Sequence, residues 1–425
     1  MNMQYLKLLR IMLTPTIYRV PLRVMRELRK QGVERLPGGS NAGKARVNAL
    51  KFARKWLAGE RLTRHNGRWV LNSFFPPFPS KAFDRMFENM LSGRKFSPVS
   101  AYIAVTGECP FNCTYCSAKA RTTVNYTTEQ LTSLIDQLAE AGVSIIGFTG
   151  GEPMLRNDLE VLVVHAAGKG IETIVFTSGY ELDEERAAAL KAAGLWSVCV
   201  SLDSARASEF NDVRNSVEAY ETAVTGLVNA VNSGLYTMAG AVATPEFVHK
   251  KRVNALYKMM SDMKIDELRL VEPMPCGKLR KDLEKMLLSK DDINLIRDFH
   301  VKTNRASGYT KVCAFNHVES PDMLGCGGGT QHLYIDAGGE VCPCDFTPLS
   351  FGNVTKEPFG NIWARMNEAM VMPRRHCFIQ TNYQAINQAV ADSGEYPLSP
   401  EKSCELCRKI GFDDFPDYFK AVMNR

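Results

Sequence analysis

The chain has 425 residues, 45% of them hydrophobic, with 12 cysteines and a formal net charge of +6. That is enough for a core of about two hundred residues and two flanking modules of about one hundred each. No uncharged run reaches the roughly 18 residues of a transmembrane helix, no cleavable signal sequence is apparent, and the histidines form no HxxxH or HExxH pattern, which argues against a membrane span, secretion and a separate zinc-hydrolase site.

Charge is spread unevenly. Residues 1–98 carry 20 Lys and Arg against 5 Asp and Glu, a net of +15, which leaves −9 for residues 99–425. Two stretches, Tyr5-Leu6-Lys7-Leu8-Leu9-Arg10-Ile11-Met12-Leu13 and Tyr18-Arg19-Val20-Pro21-Leu22-Arg23-Val24-Met25-Arg26, mix large apolar groups with basic ones. Such a segment can lie in a membrane interface, apolar face down and arginines among lipid phosphates, although Pro15 and Pro21 break it into short pieces. Leu36-Pro37-Gly38-Gly39-Ser40-Asn41 is a loop, Ala45 to Leu57 reads as a second basic helix, and Phe74-Phe75-Pro76-Pro77-Phe78-Pro79 cannot be regular helix. The expectation for residues 1–98 is a basic, mostly helical extension. It either packs on the core with a solvated face or docks on an anionic membrane surface; no RNA-binding module is recognisable, so nucleic acid is not expected.

From residue 99 onward apolar runs alternate with helical patterns. Tyr102-Ile103-Ala104-Val105 reads as a buried strand and leads into Cys109-Pro110-Phe111-Asn112-Cys113-Thr114-Tyr115-Cys116. Three soft thiolates on one short loop can hold three irons of a [4Fe–4S] cube and leave the fourth open; a zinc site short of one ligand is the alternative. Thr127-Thr128-Glu129-Gln130 is a capping-box pattern ahead of Leu131, Leu134, Ile135 and Leu138 at helical spacing. A second strand, Ile145-Ile146-Gly147-Phe148, ends at Thr149-Gly150-Gly151-Glu152-Pro153, where two glycines allow close approach and a glutamate offers an acceptor for an ammonium. Strands at Thr173–Phe176 and Ser197–Val200 end at Ser178 and at Ser201-Leu202-Asp203; further strands are expected at Thr237–Ala243 and Glu267–Val271. Helices are expected over Asp183–Ala193, Val217–Val231, Lys250–Met263 and Asp291–Thr303. Polar residues at the carboxyl ends of successive parallel strands are where a barrel gathers its ligand-binding groups.

The CxxxCxxC loop followed by GGEP resembles the radical SAM superfamily. The resemblance implies an α/β fold, a partial (βα)6 TIM-like barrel over residues 99–305, in which Cys109, Cys113 and Cys116 bind a [4Fe–4S] cluster and its open iron binds S-adenosylmethionine. It further implies that Gly150, Gly151 and Glu152 hold the methionine amino group, that Ser201 and Arg214 contact its carboxylate, that Ser178 or Asp203 lies near the ribose, and that Tyr115 packs beside the adenine. A low-potential donor of flavodoxin or ferredoxin type would reduce the cluster, and a 5′-deoxyadenosyl radical would remove hydrogen from an unactivated carbon.

Residues 306–425 add a second cysteine set. Cys326, Gly339 and Cys344 stand in a C-x12-G-x4-C arrangement around a hairpin, Leu333-Tyr334-Ile335 turning at Asp336-Ala337-Gly338-Gly339, and Cys404-Glu405-Leu406-Cys407 supplies a CxxC expected at a helix start. With Phe351-Gly352-Asn353-Val354 and Asn361-Ile362-Trp363 this resembles the SPASM extension or its shorter twitch form. No CxxCx5C follows the hairpin, so the resemblance implies one auxiliary [4Fe–4S] cluster on Cys326, Cys344, Cys404 and Cys407, with Cys342 and Cys377 as rival ligands and a structural zinc as the alternative. Cys276, just past a strand, could face the substrate, and Cys199 reads as core filling. Cysteines in metal spacings place the protein in a reducing cytoplasm, with a peripheral position on the inner face of the membrane if the basic segment docks there. An auxiliary cluster with four cysteines passes electrons, which suits dehydrogenation or crosslinking. The substrate is expected to be a membrane lipid chain, with a ribosomal peptide or an RNA as alternatives.

Overall fold

The computed structural model describes residues 57, 59–92, 98–119, 121, 123–281, 286–306 and 308–423. The two basic-apolar stretches, the loop at residues 36–41 and the basic helix expected from Ala45 lie outside the described residues apart from Leu57.

The described part of residues 1–98 contains two short strands that the sequence did not lead us to expect. β1 (Thr63–His65) and β2 (Arg68–Val70) form an antiparallel hairpin. Its two-residue turn is Asn66-Gly67, with φ of 46° and 79°. Both central residues are left-handed, as the favoured hairpin turn requires, and Asn-Gly is the sequence signal for it. The aromatic-proline segment is not helical, as expected, and Trp69 and Phe78 exchange backbone hydrogen bonds of 2.6 and 2.8 Å. A helix, Lys81–Ser92, follows.

The strands of the core are β3 (Ser100–Thr106), β4 (Ile145–Gly150), β5 (Glu172–Thr177), β6 (Ser197–Ser201), β7 (Tyr236–Val242), β8 (Glu267–Val271) and β9 (Lys311–Ala314). All pair in parallel with their sequence neighbours, and a helix or helix pair crosses between each. β10 (His332–Ile335) joins the free edge of β3 in parallel, and β11 (Val341–Cys342) pairs antiparallel with β10. The sheet order is β11-β10-β3-β4-β5-β6-β7-β8-β9, so the expected α/β half-barrel gains a strand at one edge and a hairpin at the other.

Local sequence explains the crossovers. Helix Thr128–Ala141 starts with a complete capping box, Thr127 and Gln130 bonding each other's backbone, and ends at Gly142 with φ 101°. Its Leu131, Leu134, Ile135 and Leu138 are buried in the main core, each contributing about 1.5–3 kcal/mol. Asp183 caps helix Glu184–Ala192 by accepting from the Arg186 N–H. At the amino ends of the strands Ile145, Ile174, Trp196, Tyr236 and Met238 form a separate interior cluster, which Val70 of the hairpin closes. Arg68 stacks 4.2 Å over Trp196 and pairs with Glu172 at 2.5 Å, fixing the hairpin as a plug. His300 accepts the Ala314 N–H at Nδ1 (3.0 Å), so the proton of its neutral ring sits on Nε2, 3.2 Å from Glu60. That buried pair ties residue 60 to helix Lys290–Arg305.

Beyond the sheet, Asn353 donates to Gly338 O (2.9 Å) and Glu340 Oε1 (2.7 Å), stapling the β10–β11 turn. Helices Phe359–Ala369, Phe378–Ser393 and Pro400–Ile410 complete this part. The CxxC is not at a helix start: Pro400 takes that place, and Cys404 and Cys407 stand in the following turns. Among the described residues no helix is long and apolar enough to cross a membrane.

Candidate active site

The cysteine loop leaves the carboxyl end of β3 and is held on three sides. On one side the Gly150-Gly151-Glu152 backbone lies against it: Gly151 N–H donates to Thr106 O (2.8 Å) and Glu152 N–H to Glu108 O (2.7 Å). A Cβ on Gly151 would stand 1.9 Å from Glu108 O, and Gly150, at φ 135°, would place one 2.2 Å from Thr106 O. Both positions therefore exclude every other residue. On the second side the Asn112 and Thr114 N–H groups donate to Arg214 O and Val213 O (3.3 and 3.0 Å), and Asn215 donates to Asn112 O (2.7 Å). On the third, Lys278 donates through its backbone to Cys116 O (3.1 Å) and through Nζ to Asn112 Oδ1 (2.6 Å) and Cys113 O (2.9 Å). Gly277, at φ 54°, is needed there because a Cβ would lie 2.3 Å from Cys116 O.

Beneath the loop, at the carboxyl ends of the strands, is a cavity of about 340 Å³. Cys109, Cys113 and Cys116 line it, as do Tyr115, Gly150, Gly151, Glu152, Ser178, Ser201, Asp203, Arg214 and Cys276. Every residue expected around S-adenosylmethionine thus faces one space. Burial pushes the Cys109 thiol up to about 11 and Cys276 to about 12.

Two polar networks border the cavity. Glu152 is buried and accepts from Thr177 Oγ1 (2.6 Å), the Ser178 N–H (2.7 Å), the Ser178 hydroxyl and the Met154 N–H (3.1 Å). Burial raises its pKa, and the Ser178 and Thr177 bonds oppose that rise. The carboxylate thus braces the GGEP turn against the end of β5. Asp203 accepts from Arg214 Nη2 (2.9 Å), the Val242 N–H (2.8 Å) and the Tyr115 hydroxyl, while Arg214 Nη1 lies 3.1 Å from Cys113 Sγ. Burial works against the Arg214 charge, but Tyr115, Asp203 and Cys113 outweigh it and raise its pKa.

Sequence reasoning missed Gly277, Lys278, Arg121 and Arg269. The first two follow Cys276 directly, and a glycine-lysine pair just past a strand was their only signal. Arg121 is buried and donates to Asp336 Oδ2, Cys342 Sγ and Asp345 O, each at 3.2 Å. It holds Cys342 in a small cluster with Ala104, Tyr334 and Ala337, apart from the other cysteines of this region. Arg269 lies on β8 and lines the cavity.

The C-terminal cysteines fall into two groups. Cys377, at the start of helix Phe378–Ser393, lies within hydrogen-bond reach of Cys326 and lowers its pKa, while Cys326 raises that of Cys344. Cys404 raises the pKa of Cys407, and the Arg374 charge lowers those of both Cys407 and Cys326. The structure therefore brings Cys377 to the Cys326–Cys344 pair and sets the CxxC helix beside it. None of these five lines the cavity.

The sequence matches the family model of the Radical SAM superfamily over residues 103–256. The chain belongs to the radical SAM superfamily. It also matches the iron–sulfur cluster-binding SPASM domain over residues 326–390, which places Cys404 and Cys407 beyond the matched segment. The AdoMet-dependent heme synthase of Nitratidesulfovibrio vulgaris is 26% identical over 295 residues, 63% of this chain and 80% of that protein. The PqqA peptide cyclase of Streptomyces rochei is 28% identical over 282 residues, 63% of this chain and 76% of that protein. Streptococcus suis SuiB bound to S-adenosylmethionine has a similar fold, with a TM-score of 0.53 at 15% identity, covering 63% of this chain and 66% of that one.

The protein is a radical SAM enzyme with a SPASM domain. Its cofactors are a [4Fe–4S] cluster, S-adenosylmethionine and auxiliary iron–sulfur chemistry, and like its superfamily it needs an external reductant. The residues fit this set: three thiols share one loop, glycines clear the backbone on two sides of it, and a cavity opens beneath.

Proposed function

We propose that the cavity under the cysteine loop is where this enzyme abstracts hydrogen from an unactivated carbon, for dehydrogenation or crosslinking. The observation that carries the proposal is that the three loop cysteines and every residue expected to contact S-adenosylmethionine line one cavity at the carboxyl ends of the strands. When bound, cluster and cofactor supply a 5′-deoxyadenosyl radical by reductive cleavage. The chain does the rest. Cys109, Cys113 and Cys116 hold the cluster, with Lys278, Asn215 and the GGEP backbone fixing their loop. Gly150, Gly151 and Glu152 shape the seat of the methionine amino group, Ser201 and Arg214 that of its carboxylate, Ser178 and Asp203 the ribose side, and Tyr115 the adenine side. Tyr102, Phe176, Met274, Phe315 and Phe346 wall the cavity with apolar surface and exclude water.

The C-terminal part, from about residue 306, holds an auxiliary cluster on Cys326, Cys344 and Cys377, with a further thiolate from the Cys404–Cys407 helix. This replaces the sequence-based set by adding Cys377. Such a cluster passes an electron between the active site and a donor of flavodoxin or ferredoxin type, matching an oxidative outcome.

Similarity to PqqA peptide cyclases favours a peptide and moves it ahead of the lipid chain, which rests on the composition of residues 1–98 alone. The test is mass spectrometry of what anaerobically isolated full-length protein retains. Turnover should lower the mass of the retained molecule by a pair of hydrogens. A methyl gain, or no change in mass while 5′-deoxyadenosine accumulates, would contradict the proposal.

A further inference from the structure

At the floor of the cavity one layer of inward-facing residues crosses the sheet. Tyr102 comes from β3, Phe176 from β5, Cys199 from β6 and Arg269 from β8, and glycines replace side chains on the strands between them. A Cβ on Gly147 would lie 2.4 Å from the Tyr102 ring, and one on Gly240, the β7 partner of Arg269, 3.1 Å from Cys199 Sγ. The space those glycines leave is taken by the long side chains of the layer. Arg269 is buried, only 3% exposed, and lines the cavity.

Among the described residues it has no carboxylate partner within ion-pair distance, and its Nη1 is buried without a hydrogen bond. The surrounding acids are engaged or neutral. Glu267 accepts from Tyr236 (3.0 Å) and Ser73 N–H (3.2 Å), Glu272 from Gln380 (3.2 Å), and Asp345 lies 3.3 Å from His332, while burial pushes the Glu319 carboxyl well above its usual range. The polar groups that act on it most, Tyr102, which hydrogen-bonds it, and Cys199, are themselves held neutral by burial, and Glu267 acts on it only from beyond ion-pair distance. Aromatic faces complete the surroundings, with Phe315 at 4.8 Å, Phe176 at 5.0 Å and Phe74 at 5.9 Å. The other buried cations of the cavity differ: Arg121 is paired with Asp336 and Arg214 with Asp203.

A buried charge without a counterion is strongly unfavourable, and a guanidinium offers a planar fork that takes an oxyanion in two hydrogen bonds. We propose that Arg269 anchors an anionic group of the substrate, a carboxylate or a phosphate, at the cavity floor. The apolar remainder of the substrate then extends along Phe176 and Phe315 toward the cysteine loop. This rests on the reading of the cavity as the radical site.

The test uses full-length reconstituted enzyme with S-adenosylmethionine present and three probes of matched chain: octanoate, octyl phosphate and 1-octanol. Wild-type enzyme should bind octanoate or octyl phosphate about ten- to a hundredfold tighter than octanol, the range a pair of charge-assisted hydrogen bonds supplies. Whichever of the two binds tighter identifies the anion. Arg269→Met should remove the preference, and Arg269→Lys, which keeps the charge but not the fork, should retain part of it. Equal binding of all probes by the wild type, or a preference that persists in Arg269→Met, would overturn the proposal. Should Arg269→Met fail to fold, the wild-type comparison and Arg269→Lys decide it alone. Failure of the wild-type enzyme to bind S-adenosylmethionine is a different result and falls on the assignment of the cavity.

Discussion

Asp203 joins three elements, and replacing it tests whether the expected cofactor residues act as one unit. Its carboxylate accepts from Arg214, from the Val242 N–H at the end of β7, and from Tyr115 on the cysteine loop. Asp203→Ala removes all three bonds and leaves Arg214, whose side chain is 9% exposed, without its carboxylate. Breaking one side of a buried ion pair costs about 3–5 kcal/mol. Asp203 itself is 11% exposed, and water entering from the cavity recovers part of the loss, so we take about 3 kcal/mol. If that energy is needed to order the Tyr115 and Arg214 side of the site, it caps the effect at about 150-fold. Some of it is absorbed because Arg214 still rests on Cys113 Sγ at 3.1 Å, so the expected loss of affinity for S-adenosylmethionine is about ten- to a hundredfold. Anaerobic titration calorimetry on reconstituted protein measures this directly. Asp203→Asn keeps an acceptor for Val242 and should fall between wild type and alanine, and iron per chain should stay unchanged. An Asp203→Ala affinity within about twofold of wild type would refute the reasoning.

Reconstituted protein should contain about eight irons, four in each of two clusters, and triple alanine replacement of Cys109, Cys113 and Cys116 should leave about four; stoichiometric zinc in place of the C-terminal iron would remove the auxiliary cluster from the account. Cys377→Ala should deplete the auxiliary iron while Cys342→Ala should not, because Cys342 is committed to Arg121; the opposite pattern, read by iron analysis and electron paramagnetic resonance, would restore Cys342 as the ligand. Full-length protein should co-sediment with anionic vesicles, bind neutral ones poorly and weaken but not fully detach at high salt, since each basic residue near the surface contributes about 1 kcal/mol that salt screens. Deleting residues 1–30 should abolish that binding; full-length protein that ignores anionic vesicles would end the membrane reading.

What the sequence made legible was local or adjacent. Buried parallel strands read as apolar runs, so β3 to β8 were found within a residue or two, and the Thr127 capping box marked its helix correctly. The cysteine loop and GGEP were visible because their spacing is itself the chemistry. Contacts between distant segments were not. Nothing near Gly277 and Lys278 announces that they clamp a loop ending at Cys116, and nothing near Cys377 announces Cys326. The parallel docking of β10 on β3 is a tertiary choice that a hairpin pattern alone does not contain. Asn66-Gly67 is a different case: the hairpin signal was there, and the arginine-rich composition around it concealed it.

The central claim is that the loop of Cys109, Cys113 and Cys116 and the cavity beneath it form a working radical site. Anaerobic, reconstituted protein given S-adenosylmethionine and dithionite should release 5′-deoxyadenosine and methionine in equal amounts, as measured by liquid chromatography. The triple alanine variant of the loop should release neither. Equal release by that variant, or none from wild-type protein that carries its full iron complement, would contradict the account.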